Sequence, residues 1–360
     1  MLKRKNLLHK TVPFILIGLL AFVLYLVFMV NINEMIAVIR QTNFNIYLLS
    51  FVATLAEMFF FALAWHYFLV PLSTSISFKK VFLYSWIGNF IDLLVPAESV
   101  SGEISRVYFV SHEGVDAGKV VVSVLMQRVF GMLLNIGALT ISALYLLILK
   151  ASLPSLIQNL VLLVVVTTSL FLILFLVLCF KENWMLKLID KIFDKVIVFL
   201  KRVSGKRWNL DEWKERTAKS IKTFYKALKV LSANPKKLIL PVIFSIFAWF
   251  FSIVTYYLVF AAMGYTISLA TLIIVHSLVI ALKSVPVGIP AEVGVTEIAM
   301  TTLFGAFNMS LDVSAAATVL IRIVTVWFRL VIGFGVVQWV GLRGVLENKN
   351  FVGQEDKATS

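Results

Sequence analysis

Six stretches of this chain, residues 12–30, 46–70, 120–149, 156–180, 238–262 and 315–340, each reach or approach the length of apolar helix that crosses a bilayer. About 20 residues rising 1.5 Å apiece cover the ~30 Å of hydrocarbon. Six such segments leave little chain with which to build a water-soluble surface. Composition agrees: 60% of residues are hydrophobic and 14% charged, against roughly 45–50% and ~25% in soluble domains, and the mean hydropathy is +0.95. The expected class is an all-α polytopic membrane protein with six spanning helices. The basic flank Lys3-Arg4-Lys5 precedes a long apolar segment with no small-x-small cleavage site after it, so the first stretch reads as a retained helix.

Two further apolar stretches, 81–95 and 268–287, run into a motif that occurs twice. Pro96-Ala97-Glu98, Glu103-Ile104 and Arg128 recur 194 residues later as Pro290-Ala291-Glu292, Glu297-Ile298 and Arg322. Ionisable groups are expensive at membrane depth and usually mark a functional site there. Stretch 81–95 is 15 residues long and rises only about 22 Å as a helix, too short to cross. Stretch 268–287 is long enough to cross unaided.

Charge orients the chain. Residues 181–237 hold 16 Lys/Arg against 6 Asp/Glu, which places that loop in the cytoplasm by the positive-inside rule. Within it, residues 184–200 form an amphipathic helical pattern opposed by Lys187, Lys191 and Lys195; such a helix either lies on anionic headgroups or is solvated and enforces topology. Both termini are then cytoplasmic in a cell-membrane protein. If 81–106 and the segment from Ser268 to about Phe307 are re-entrant hairpins turning near Pro96 and Pro290, each half reads helix, helix, hairpin, helix, in opposite orientations. That is the inverted-repeat plan of many secondary transporters, its irregular backbone tolerated where protein or a water cavity covers it. The expected divisions are a first repeat at 1–150, the first helix of the second at 151–180, a basic insert at 181–237, the rest of the second repeat at 238–345 and a polar tail at 346–360.

The repeated residues have definable chemistry. Proline stops a helix, so the next arm is expected to begin at Ala97 or Ala291 with free amide donors and a positive dipole end. Glu98 and Glu292 in that first turn either cap the arm or serve function. Glu103 and Glu297 fall beyond capping range on this reading, and a pairing or functional role is expected of them. Arg128 is followed seven residues on by Asn135, and Arg322 by Arg329, a spacing that puts each pair on one helix face. The arginines either lock hairpin to helix by pairing with Glu103 and Glu297 or hold a phosphate through the guanidinium fork; a transport site can alternate between the two. Glu57, Asn89, Asp92, Arg106, Gln127 and Lys283 are further polar residues at membrane depth, and Asn89 and Asp92 lie one turn apart. Gly288 and Gly294 flank Pro290 and permit a tight turn.

Other chemistries lack support. One cysteine, Cys179, provides neither a disulfide framework nor a thiolate cluster, and His9, His66, His112 and His276 have no metal-ligand spacing. No cofactor or metal is expected. The basic charge comes without a nucleic-acid recognition fold. An enzyme using the glutamates as acid and base lacks an activated nucleophile, a His–carboxylate metal set and a phosphate-binding glycine loop.

The stretch containing Pro96, Gly102, Glu103 and Arg106, the pair Gln127-Arg128, and the run Pro286-Val-Gly288-Ile-Pro290-Ala-Glu-Val-Gly294-Val-Thr-Glu297 resemble the flippase-like integral membrane family that includes the transmembrane region of lysylphosphatidylglycerol synthase. The similarity runs from about residue 12 to 345. The family's Pro-Gly-x-Gly-x-x-Glu form appears here in a looser version. The resemblance implies a polytopic protein that moves or handles lipids with charged or glycosylated headgroups. Lipid aminoacylation is not expected, because only a short polar stretch follows Arg343. The leading expectation is a flippase or scramblase for an anionic, aminoacylated or polyprenyl-linked lipid, and the alternative is an ion-coupled transporter of a small anion. The expected headgroup site comprises Arg128, Arg322, Arg329, Glu103, Glu297, Glu98, Glu292, Arg106, Asn89 and Asp92, with turns at Pro96, Gly102, Pro286, Gly288, Pro290 and Gly294.

Overall fold

A computed structural model describes residues 31–95, 100–149, 154–181, 211–283 and 288–341, with isolated positions at 23, 24, 27 and 195. Among the described residues all regular structure is helical. Five helical segments are long and apolar enough to cross a membrane: Phe44–Leu72, Ala117–Ile148, Ser155–Leu174, Pro235–Ala262 and Leu311–Gly341. They coincide with five of the six expected crossings; stretch 12–30 and the amphipathic pattern at 184–200 lie outside the described residues. Burial supports a lipid-facing reading. Leu162, Leu163, Leu170, Ile173 and Leu174 all point outward on the third of these segments, a contiguous apolar face far larger than a soluble monomer exposes.

The helices are α1 (Ile32–Arg40), α2 (Phe44–Leu69), α3 (Phe78–Leu94), α4 (Ser101–His112), α5 (Ala117–Ile148), α6 (Ser155–Phe180), α7 (Asp211–Ala233), α8 (Ile239–Ala262), α9 (Leu269–Lys283), α10 (Val295–Ala306) and α11 (Leu311–Gly341). Short 3-10 turns at Val70–Leu72, Pro235–Leu238 and Pro290–Glu292 extend α2, lead into α8 and precede α10. α11 contains a π-helical turn at Ile323–Phe328.

Helix boundaries repeat at the offset of the sequence motif. α4 begins at Ser101 and ends at His112; α10 begins at Val295 and ends at Ala306, each 194 residues later. α5 and α11 begin at Ala117 and Leu311, the same distance apart, each capped by the residue before it: Asp116 accepts from the Gly118 N–H at 2.8 Å and Ser310 from the Val313 N–H at 3.4 Å. Of stretch 268–287, the described part holds α9, whose 15 residues rise about 22 Å. α3, with 17 residues, reaches about 26 Å. α3 therefore falls short of the ~30 Å core.

The helices pack into two compact units, one formed by residues 1–59, 82–106 and 250–360, the other by 60–81 and 107–249. In the first, α10 packs along α11, α9 along α10, and α1 along the start of α11, where Asp312 accepts from the Asn31 N–H at 2.6 Å. Tyr47 of α2 donates to the Leu320 carbonyl of α11 at 3.0 Å, and Thr301 of α10 to Thr318 of α11 at 3.2 Å. Leu93, near the end of α3, joins Ala291, Val293 and Val326 in one buried cluster. The end of α3 therefore meets the Pro290 turn. In the second unit α7 lies against α5, and Trp65 donates to Ser123 at 3.0 Å.

Candidate functional site

The chain does not resume helix at Ala291, as the proline had suggested. Ala291 and Glu292 both have φ of 49°, Val293 is extended with ψ of 130°, and Gly294 has φ of 91°, so α10 starts only at Val295. Left-handed backbone costs a residue with a Cβ roughly 1–2 kcal/mol, and two in succession persist only when the surroundings hold them. Gly294 and Gly288, φ 80°, occupy this region without that cost.

The later start changes what the glutamates do. Glu297, expected beyond capping range, is the third residue of α10, and its Oε2 accepts from the Gly294 N–H at 2.6 Å. That bond satisfies a donor the first helical turn leaves open. Its Oε1 accepts from Arg322 Nε at 2.6 Å, the hairpin-to-helix pair expected from the spacing. Arg322 Nη2 donates to the Ala291 carbonyl, also at 2.6 Å. One guanidinium thus grips both the strained turn and the helix that follows. Glu292 turns to Thr296, whose Oγ1 donates to it at 2.8 Å. Arg322 is 3% exposed, Glu297 5% and Glu292 2%, so the cluster is sealed from solvent and lipid.

Arg329 goes elsewhere. The seven-residue spacing had placed it on the face of Arg322, but the π turn lies between them. A π turn closes its hydrogen bond one residue later than an α turn, so each residue advances the helix by a smaller angle and Arg329 lags well beyond the ~20° drift of an ordinary heptad. Its Nη2 donates to Glu57 Oε2 of α2 at 2.5 Å, with side-chain exposures of 13% and 18%. Glu57 was legible only as an isolated carboxylate in an apolar helix. Among the buried side-chain atoms of the described residues that have no hydrogen-bond partner are one guanidinium nitrogen of each arginine, Arg322 Nη1 and Arg329 Nε. Such orphans are uncommon in folded proteins and call for an explanation.

The first copy of the motif is held differently. Asp92 Oδ1 accepts from Ser101 Oγ and from the Gly102 N–H, both at 2.7 Å. Gly102, expected at a turn, is the second residue of α4 and lies against α3: a Cβ there would stand 2.6 Å from the Gly88 carbonyl and 2.4 Å from Asp92 Oδ2. Arg106 is buried with its stem beside Gly88. Asn89, one turn before Asp92, is not drawn to the same partners, and its Oδ1 is buried without one. Glu103 is the third residue of α4, as Glu297 is of α10, and is half-buried. It belongs to the first unit, whereas Arg128, half-buried on α5, belongs to the second with Gln127, whose amide donates to the Phe61 carbonyl at 2.8 Å. Pro96, Glu98 and Pro286 lie outside the described residues. Among the described residues no group of three His, Cys, Asp or Glu side chains is placed to hold a metal.

Comparison with known proteins agrees with this architecture. A family described as the lysylphosphatidylglycerol synthase transmembrane region matches residues 15–333. A UPF0104 membrane protein of Pyrococcus horikoshii is 26% identical over 332 residues, covering 89% of this chain and 94% of its own. Another, from Methanocaldococcus jannaschii, is 24% identical over 322 residues, covering 87% and 90%.

Proposed function

The protein belongs to the lysylphosphatidylglycerol synthase transmembrane-region family, and from that premise we propose that it is a lipid flippase or scramblase in which Arg329 takes the phosphate-bearing headgroup of an anionic or polyprenyl-linked lipid. The observation that carries this reading is the pair of arginines flanking the π turn, each holding a carboxylate while one buried guanidinium nitrogen, Nη1 of Arg322 and Nε of Arg329, has no partner. A guanidinium has five donors in a planar fork, and a phosphate oxygen is the partner that fork fits bidentately. If the arginines only joined helices, leucine or methionine would pack there without the desolvation penalty.

The two arginines divide the work. The Arg329–Glu57 pair is partly exposed, so a phosphate can displace Glu57 and engage the free Nε. Arg322 stays sealed with Glu297 and holds the turn. Glu103, Asp92, Asn89 and Arg106 on the other motif copy are assigned to the polar lining of the path, and Glu292 stays sealed with Arg322. Arg128 stands in its own repeat where Arg322 stands in the second, and is assigned the corresponding role there. The shared helix boundaries support two repeats, and the short α3 and α9 support two re-entrant hairpins of opposed orientation.

The test is translocation of fluorescent lipids in vesicles containing purified protein. Arg329→Gln is expected to reduce transfer of a phosphate-bearing lipid at least tenfold and Arg329→Lys by less, since a lysine keeps charge but not the fork. Unchanged transfer in folded Arg329→Gln overturns the proposal. Inhibition by a soluble anion, with no lipid moved by the unaltered protein, favours the small-anion transporter.

A further inference from the structure

In the second unit α7 presents two unlike faces. Ile221, Phe224, Tyr225, Ala227 and Leu231 are buried in one apolar cluster with Leu72 and Val122, against which Leu238 also packs. Seating is close. A Cβ on Gly118 would come within 2.5 Å of the Ser220 carbonyl. Leu72 ends one membrane-crossing segment, Gly118 and Val122 lie in the first turns of another, and Leu238 lies in the first turn of a third. α7 therefore lies across the same-side ends of three crossings, at the level where lipid headgroups begin.

The opposite face is a row of exposed lysines at 219, 222, 226 and 229, spaced three and four apart on one side of the helix. Lys236 and Lys237 continue the row in the 3-10 turn. No Asp or Glu occurs from Lys219 to Lys237, and among the described residues none of these lysines has an ion-pair partner. Like charges three and four apart weaken a helix, and none of them lies in the last turn of α7, where the helix dipole would favour a cation. The apolar face is already occupied by protein, so burial of α7 in lipid does not account for the row either.

We infer that the lysine row of α7 is a docking surface for anionic phospholipid headgroups of the adjoining leaflet. Its charge complements the surface, and its height is set by the three crossings beneath it. The arrangement differs from an ordinary interfacial helix, which sinks its apolar face into the bilayer: here the protein supplies the apolar bed, and the lysines extend beside the membrane as a selector of lipid charge. Attraction between a basic residue and an anionic leaflet acts within about a Debye length, so the selection is salt-dependent.

The experiment uses the full chain in phosphatidylcholine nanodiscs containing a trace of spin-labelled phosphatidylglycerol or spin-labelled phosphatidylcholine, and reads the protein-associated fraction of each. The unaltered protein is expected to prefer phosphatidylglycerol roughly tenfold at low salt, falling toward parity at 1 M salt. The combined Lys219→Gln, Lys222→Gln, Lys226→Gln, Lys229→Gln variant is expected to lose most of that preference, and the corresponding four-arginine variant to keep it. Hydrogen exchange of α5 reports whether α7 remains seated in each. A glutamine variant with α7 seated and the preference intact overturns the inference. So does a row that binds polyglutamate but shows no preference between the lipids, which would mark it as a site for an acidic protein.

Discussion

Ser101 and Val295 open helices of twelve residues at equivalent places in the two motif copies, yet the chain enters them by different means. Before α4, a short carboxylate on the preceding arm, Asp92, reaches forward and collects the Ser101 hydroxyl and the Gly102 N–H, while Gly88 and Gly102 bring the arms nearly backbone to backbone. Before α10, the carboxylate comes from inside the helix, Glu297 reaching back to Gly294, and the position equivalent to Gly102 holds Thr296, bonded to Glu292. The first entry is held by the Asp92 carboxylate and by close backbone contact, the second by the Glu297 carboxylate and the arginine paired with it. Arg322 is the element the second requires, because two left-handed non-glycine residues in succession need an external restraint. Matched helix boundaries thus do not require matched interactions, provided each entry finds its own partners for the open amide donors.

The largest effect is expected where charge does the closing. Arg322→Gln leaves the Glu297 carboxylate buried without its cation and releases the Ala291 carbonyl, a loss of about 3–5 kcal/mol. It should be seen as a marked fall in the thermal midpoint of the purified protein. Glu297→Gln should cost a similar amount. The double replacement should be milder than the two singles added together. Additive losses would mean that Arg322 acts through the Ala291 carbonyl alone and that the second entry is not held by charge.

Replacing either of the two equivalent helix-entry residues by alanine gives a smaller effect. Gly102→Ala places a methyl against the Gly88 carbonyl, which is backbone and cannot swing away, so the arms must part at about 1–3 kcal/mol. Thr296→Ala removes a hydroxyl donor from the buried Glu292 carboxylate, a bond to a charged acceptor worth about 1.5–3 kcal/mol. Both thermal midpoints should fall by less than that of Arg322→Gln. A fall in either variant as large as that of Arg322→Gln would mean that the arginine is not the main restraint on the second entry.

The five described crossings were legible because a bilayer demands length and apolarity, and residues 156–180 satisfy both without help from any neighbour. The Glu297–Arg322 pair was legible for a related reason, since buried opposite charges in one membrane protein seek each other. The start of α10 was not. Pro290 announces a break, but where helix resumes depends on which residues tolerate positive φ, and Ala291 and Glu292 do so only because Arg322 and the packing of Leu93 hold them. The separation of Arg329 from Arg322 was hidden too, because an i, i+7 reading assumes a constant turn and nothing in Ile323–Phe328 advertises a π turn. Glu57 was visible as a residue but not as a partner, since 272 positions separate it from Arg329.

The smallest expected effect tests the strain itself. Ala291→Gly removes a Cβ at φ 49°, which should recover roughly 1–2 kcal/mol of left-handed strain. Against this stand the added freedom of glycine in the unfolded chain, about 0.4–1 kcal/mol, and the loss of a buried methyl packed with Leu93 and Val293, about 0.8 kcal/mol. The terms nearly cancel, and the thermal midpoint should stay close to that of the unaltered protein. Ala316, fully buried in the regular part of α11, offers the contrast: Ala316→Gly loses a methyl and about 1 kcal/mol of helix propensity with no strain to recover, and should be clearly the worse of the two. If Ala291→Gly proved as damaging as Ala316→Gly, the left-handed turn would carry no strain, and Arg322 would be holding a conformation that the chain adopts unaided.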